Sequence, residues 1–348
     1  HKGIAICTFR MDFVILPPEN HISVEKKKTM RKAKRLIVIA LAAVAACGVR
    51  AQEELIKYGD FESWLNRSVK DSKLVGGKLW NFVEVGPSMT WPQNEAYKNQ
   101  GGSQWATSNV YAKVAGVAKC NVSVYSDTHN GGKCAKLTTQ KVSCKAVGIV
   151  NVTVIAAGSL FLGEMVEPIT GASNPMSKMN AGIPFTKKPK AIKFDYKVQL
   201  NGEPTRIHQM GIRKKTVQGP DYCEALVLLQ KRWEDEDGKL HAKRVGTMWK
   251  RFTKNSDWLN GTTFDIHYGN ISGTSYYRNF MQLQNEKTAR VYYARNSKGK
   301  LSIVTEEAWA ESDEEPTHMI VFFNSSHGGA YIGSPGNTMW VDNVKLVY

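Results

Sequence analysis

Residues 191–200 read Ala191-Ile192-Lys193-Phe194-Asp195-Tyr196-Lys197-Val198-Gln199-Leu200. Ile192, Phe194, Tyr196, Val198 and Leu200 fall on one side, and Lys193, Asp195, Lys197 and Gln199 on the other. A period of two is that of a strand half-buried against a core. Downstream, residues 223–233 and 240–249 are apolar-rich runs flanking Glu234-Asp235-Glu236-Asp237-Gly238, which predicts a hairpin with an acidic, glycine-ended turn. A second hairpin is predicted for residues 289–294 and 301–304, across Asn296-Ser297-Lys298-Gly299. Residues 147–155, 319–323 and 339–347 read as buried strands, with turn clusters at Gly101-Gly102, Asn130-Gly131-Gly132 and Asn201-Gly202. Helical periodicity is scarce, and only residues 306–312 suggest one short helical turn. Many short strands with regular turn signals predict an all-β class, a β-sandwich of the jelly-roll kind. Neither a Pro/Ser-rich linker nor an internal repeat divides residues 52–348, so a single domain is expected there.

Residues 1–51 do not belong to that pattern. Met30-Arg31-Lys32-Ala33-Lys34-Arg35 is a basic stretch, followed by an apolar run over residues 36–46. Eleven apolar residues are too few to span a bilayer, which needs about 20, but suit the h-region of a secretory signal over 30–51. Two processing sites compete: cleavage after Val49-Arg50-Ala51, and a lipobox-like Val44-Ala45-Ala46-Cys47 in which Cys47 would carry lipid. Residues 1–29 lack a pattern, and the chain opens on His1, so an upstream extension before an initiator Met30 is expected. The expected location is exported: periplasm, outer-membrane surface or extracellular space, with membrane contact only through an N-terminal lipid.

The chain of 348 residues has 47 Lys+Arg and 31 Asp+Glu, a net charge of +16. Ten of those bases and three of those acids lie in residues 1–51, leaving 37 against 28, or +9. The remaining bases are scattered, as in Lys187-Lys188, Arg213-Lys214-Lys215 and Lys250-Arg251, and read as solvated faces. A nucleic-acid partner is not expected, because no basic block marks its electrostatic footprint.

Cys120, Cys134, Cys144 and Cys223 allow three pairings, and an exported chain meets oxidising conditions in which one or two disulfides form. The alternative is that some are small buried hydrophobes. CxxC spacing is lacking, which argues against zinc.

For catalysis, GxSxG, dinucleotide and P-loop spacings are all missing from the sequence. The Gly328, Gly329, Gly333 and Gly336 series is expected to supply positive-φ turns. A glycosidase needs two carboxylates at suitable separation; Glu164, Asp195, Glu224 and Asp265 lie in apolar contexts, and Glu164 and Asp195 are taken as the catalytic candidates. Tyr58-Gly59-Asp60-Phe61-Glu62 opens the body and Trp340-Val341-Asp342-Asn343-Val344 closes it. If the first and last strands are neighbours, Asp60 or Glu62 approaches Asp342, a set of hard oxygen ligands suited to a structural Ca²⁺; otherwise these are hydrogen-bonded surface acids. Of the nine Trp, most are expected in the core. Trp91, beside Pro92 and Asn94, and Trp258, after Asn255-Ser256-Asp257, have polar, loop-like surroundings. With Tyr277 of the Tyr276-Tyr277 pair they are the candidates for stacking on the flat C–H faces of sugar rings.

Gly59-Asp60-Phe61-Glu62-Ser63-Trp64, Trp105-Ala106-Thr107-Ser108-Asn109 and Ala156-Ala157-Gly158-Ser159-Leu160-Phe161-Leu162-Gly163 resemble, in this order, the bacterial PCMD family, a carbohydrate metabolism domain. So do Gly182-Ile183-Pro184-Phe185, residues 189–198, Phe323-Asn324-Ser325-Ser326 and residues 341–348. The resemblance implies an exported β-jelly-roll similar in outline to carbohydrate-binding modules. Relatives often carry a preceding immunoglobulin-like domain, for which 52–348 has no room, and frequently two acids where this chain has Asp342-Asn343, which weighs against Ca²⁺. The expected function is non-catalytic glycan recognition by exposed aromatics. The alternatives are a glycoside hydrolase with a carboxylate pair and a structural or adhesive surface protein without a sugar ligand.

Overall fold

A computed structural model describes residues 52–97, 102–146, 150–171, 174–288 and 290–348. The signal, lipobox and start-site expectations for residues 1–51 lie outside the described residues. The strand predicted at 191–200 forms as Ala191–Gln199, with Ile192, Phe194, Tyr196 and Val198 buried. It sits in the sheet Ser256–Asp265, Ala191–Gln199, Thr338–Val347, Gly132–Thr138 and Val124–His129, all neighbours antiparallel. The first strand, Glu53–Leu55, adds to the last, pairing Glu53 with Val347 and Leu55 with Lys345. The two ends of the body are therefore neighbours.

Facing it is a ten-stranded sheet whose centre is the antiparallel set His318–Asn324, Cys223–Glu234 and Leu240–Phe252. The predicted acidic hairpin is this last pair, and Gly238 takes φ 80° at its turn, a value that L side chains rarely adopt. Phe194, Val198, Val341 and Leu346 of the first sheet pack against Ala225, Val227, Leu229, Val321 and Phe323 of the second. Phe194 meets Phe323 edge-on at 5.0 Å. This is the layered core of an all-β sandwich of the jelly-roll class.

The second sheet has a further property. Ser159–Met165 pairs with His318–Asn324 over its first residues and with Met179–Ala181 over its last, so the strand order returns on itself. Residues of Cys223–Glu234 therefore meet core on both faces. Cys223, Ala225, Val227 and Leu229 face the sandwich, while Leu226 and Leu228 face a second cluster with Phe161, Trp249, Ile320 and Phe322. The helical turn expected at 306–312 is corrected: Leu301–Trp309 is a strand, and Glu306 lies fully buried within it, held by Arg244 and Gln230. A third sheet, Arg213–Gln218, Thr205–Gly211, Val150–Ala156 and Gln140–Ala146, stands beside this second core. Of the predicted strand at 147–155, residues 147–149 lie outside the described residues. None of the helices among the described residues is long and apolar enough to cross a membrane.

Candidate functional site

Alternation along Cys223–Glu234 puts Glu224 in the same row as Leu226 and Leu228, at the end of the second core. Register places Glu224 opposite Arg251 on one neighbouring strand and opposite Asn324 on the other. Three polar side chains thus lie side by side where an apolar row ends, and there the core opens into a cavity of about 900 Å³. Arg290 enters from the loop before Tyr292–Arg295. Its Nη1 donates to Glu224 Oε1 at 2.9 Å and its Nη2 to the His327 carbonyl at 2.9 Å. Trp249 Nε1 donates to Glu224 Oε2 at 3.0 Å, Arg251 Nε reaches the same oxygen at 3.5 Å, and Asn324 Nδ2 lies 3.3 Å from Oε1.

Glu224 is fully buried. Burial opposes its ionisation, but Arg290, the Trp249 hydrogen bond, Arg251 and His327 outweigh it and hold the carboxyl below its ordinary range. It is an anion at neutral pH and cannot serve as a proton donor there. Among the described residues, Glu224 is also the only Asp or Glu lining the cavity. The walls carry half-buried Phe280 and Tyr331, with buried Phe322 and Tyr292 behind. Tyr331 takes φ 62°, a left-handed conformation costly for a bulky side chain and typical of residues held for a purpose. Gln284, 2% exposed, is one of the lining residues, and its buried Oε1 has no hydrogen-bond partner. The loop Gly328-Gly329-Ala330 completes one rim. Of the four glycines expected at positive φ, Gly329 and Gly336 have it. Gly328 and Gly333 are instead required by crowding: a Cβ would stand 2.3 Å from the Ile332 carbonyl and 2.9 Å from Ser326 Oγ respectively.

Apart from Glu224, the carboxylates and aromatics singled out in the sequence are placed elsewhere. Trp91 packs edge-on against Tyr97 at 5.2 Å, Trp258 stacks on His129 at 3.7 Å, and Tyr277 is half-buried against the second core. None of the three lines the large cavity. Glu164 pairs with Arg295 at 3.0 Å beside a smaller cavity of about 580 Å³. Asp195 lies in the other sheet, so the structure does not bring these two carboxylates into one cavity.

Asp195 does meet Asp342. A bulge after Lys193 makes them direct cross-strand partners, and both are buried. Two opposed carboxylates would repel; His129 Nδ1 lies 2.7 Å from Asp342 Oδ2, while Asn343 Nδ2 (2.8 Å) and the Gly261 N–H (2.5 Å) donate to Asp195. Burial raises the Asp342 pKa against the pull of His129. The expected ligand set is corrected here. Glu62 is exposed and accepts from the Lys133 N–H, while Asp342 groups with His129 and Asp195, whose ligand atoms lie within 4.8 Å. That group fits Ca²⁺ poorly: His129 supplies nitrogen, and its Nε2 is already engaged by Asn260 at 3.1 Å.

The expected disulfides are also corrected. Cys120, Cys134, Cys144 and Cys223 are free thiols on four different strands. Burial pushes the Cys134 thiol up to about 12 and keeps it un-ionised.

Sequence reading missed Arg290, Arg251, Asn324 and His327. Lys250-Arg251 was read as solvated, yet Arg251 turns inward to Glu224 while Lys250 stays exposed. The available signal was a charged residue in step with the apolar row of a fully apolar strand, and a polar run, Asn324 to His327, ending another.

These features define an all-β sandwich with a polar-ended cavity whose walls are aliphatic and aromatic, of the general form that receives a small ligand. The chain belongs to the PCMD family, described as "Putative carbohydrate metabolism domain", whose model matches residues 84–347. That match gives it a carbohydrate-related role. Among solved structures, it is similar to one described as "a putative glycoside hydrolase" from Bacteroides thetaiotaomicron, with 19% identity and TM-score 0.41, covering 77% of this chain and 75% of that one. It is also similar to the Clostridium thermocellum endo-1,4-β-D-xylanase 10B CBM22-1–GH10 modules complexed with xylohexaose, with 7% identity, TM-score 0.22, and 70% and 26% coverage. Both scores lie below 0.5, so neither likeness bears on activity. A search of curated proteins finds no match.

Proposed function

We propose that this protein binds a glycan in the cavity beside Glu224 without cleaving it. The observation that carries this reading is that the described residues give the cavity a single carboxylate, ionised and bonded to Arg290, where hydrolysis of a glycosidic bond calls for an acid and a base or nucleophile. Phe280 and Tyr331 supply faces for sugar C–H groups, and the orphan Gln284 Oε1 is an acceptor suited to a sugar hydroxyl. The basic stretch before residue 36 and the apolar run 36–46 support export to the periplasm or cell surface, where such ligands are met.

The test combines a glycan array with a reducing-end assay on the same sugars. Expected is retention of one glycan class, weakened by Gln284→Ala, with no release of reducing ends. Release that Glu224→Gln abolishes would overturn the reading in favour of hydrolysis, and a blank array would overturn it altogether.

A further inference from the structure

The cavity's charges do not balance. Among the described residues three arginines line it, Arg206, Arg251 and Arg290, against Glu224 alone, while the lining Lys119 is paired at 2.6 Å with Asp71. Glu224 is taken first by Arg290 at 2.9 Å, and Arg251 stands at 3.5 Å with its guanidinium over the Phe280 ring at 4.0 Å. Arg206 is held by the Gln218 and Gly219 carbonyls and lies 3.2 Å from His327 Nε2. Among the described residues no carboxylate accepts from it. Asp221, on the far side of His327, lies 3.2 Å from the His327 Nδ1 and accepts from Ser326 Oγ and the Tyr222, His327 and Ser334 N–H groups.

Resting on the glycan reading, we propose that the ligand is an anionic glycan whose carboxylate or sulfate is bound by Arg251 and Arg206. Two guanidinium groups without a full counter-charge, in a cavity with low-polarity walls, attract an anion more strongly than they would on an open surface. Burial, together with the neighbouring Arg290 and Arg206, pulls the Arg251 pKa below its ordinary value despite Glu224. A bound anion relieves that repulsion. Guanidinium forks also match the planar oxygens of a uronate or the oxygens of a sulfate ester. Phe280 would present its ring to the sugar while holding Arg251 in place.

The experiment is isothermal titration of the full chain with oligouronates, the methyl esters of the same oligouronates, sulfated oligosaccharides and neutral oligosaccharides. Expected is binding to an acidic form, at least tenfold weaker for its uncharged counterpart, weaker again as salt rises, and lowered tenfold or more by Arg251→Met or Arg206→Met. Whether uronate or sulfate binds tells which group is recognised. Glu224→Gln is the second variant: by removing the competing charge it should tighten acidic ligands several-fold, which a merely damaged fold would not do. Equal binding of esters and neutral sugars, unaffected by the arginine variants, would overturn this inference and leave glycan recognition standing. Failure of every form to bind would remove the glycan reading itself.

Discussion

The hairpin Cys223–Glu234 and Leu240–Phe252 carries an arginine–carboxylate group at each end, and the two are built differently. At one end Arg244 and Glu306 are sealed, with both side chains at 0% exposure. Glu306 accepts from Arg244 Nε at 2.6 Å, Gln230 Nε2 at 2.6 Å and the Gln284 N–H at 2.7 Å, with one cation for one anion. At the other end Glu224 is equally buried, but Arg251 and Arg290 are each 23% exposed and face the cavity. There two cations share one anion. A closed one-to-one pair holds strands in register; an open group with surplus charge can take another partner. A third group inverts the ratio: Arg67 lies between Glu84 (2.9 Å) and Glu167 (2.5 Å). Burial there, with the Glu167 charge adding, pushes Glu84 up to about 7 against the pull of Arg67 and the Thr107 hydroxyl.

The comparison breaks most readily at the sealed end. Arg244→Ala leaves Glu306 as an unanswered buried charge, and a loss of about 3–5 kcal/mol is expected, read from the urea midpoint at unchanged slope. A loss no larger than that of Arg251→Ala, expected at about 1 kcal/mol or less, would erase the distinction between the ends. Next comes Glu224→Gln. It keeps the shape and removes the charge, and a cost of about 1–3 kcal/mol follows from weakened bonds to Trp249 and Arg290.

The shared-arginine group should show in the pH dependence of melting. Because the folded-state pKa of Glu84 is raised from 4.5 to about 7, the native chain keeps a proton in that window that the unfolded chain has released. Its contribution to stability is therefore full at low pH and falls as pH rises between those values. Glu84→Gln should flatten that part of the profile; an unchanged slope would mean that Glu84 stays ionised. Smallest is Trp258→Ala. Loss of the stack on His129 should cost about 0.5–1.5 kcal/mol and leave glycan affinity unchanged, and a loss of affinity would return Trp258 to the ligand site.

Much of the framework was legible in local pattern. Alternation at 191–200, the acidic hairpin and the meeting of first and last strands all follow from residues close in the chain or from fold class. The site was not. Glu224 was noticed as a carboxylate in an apolar context, but its partners Arg290 and Asn324 lie 66 and 100 residues away. Asp195 stood on what alternation marks as the polar face, and it is buried only because the bulge, His129 and Asn343 cover it. Sequence pattern points to the aromatics Trp91, Trp258 and Tyr277, whereas the rings that line the cavity come from four separate places, Asn279–Met281, Tyr292–Arg295, His318–Asn324 and the loop holding Tyr331.

What the amino-acid sequence by itself determined was the class of structure: period-two strands, turns and an apolar supply sufficient for a β-sandwich. Side-chain alternation is a local property of the extended backbone, so it can be read residue by residue. Only the tertiary structure decided which buried charges meet, and in what ratio. That depends on strand register across long separations, where a shift of one residue would turn Glu224 from the cavity toward the sandwich core.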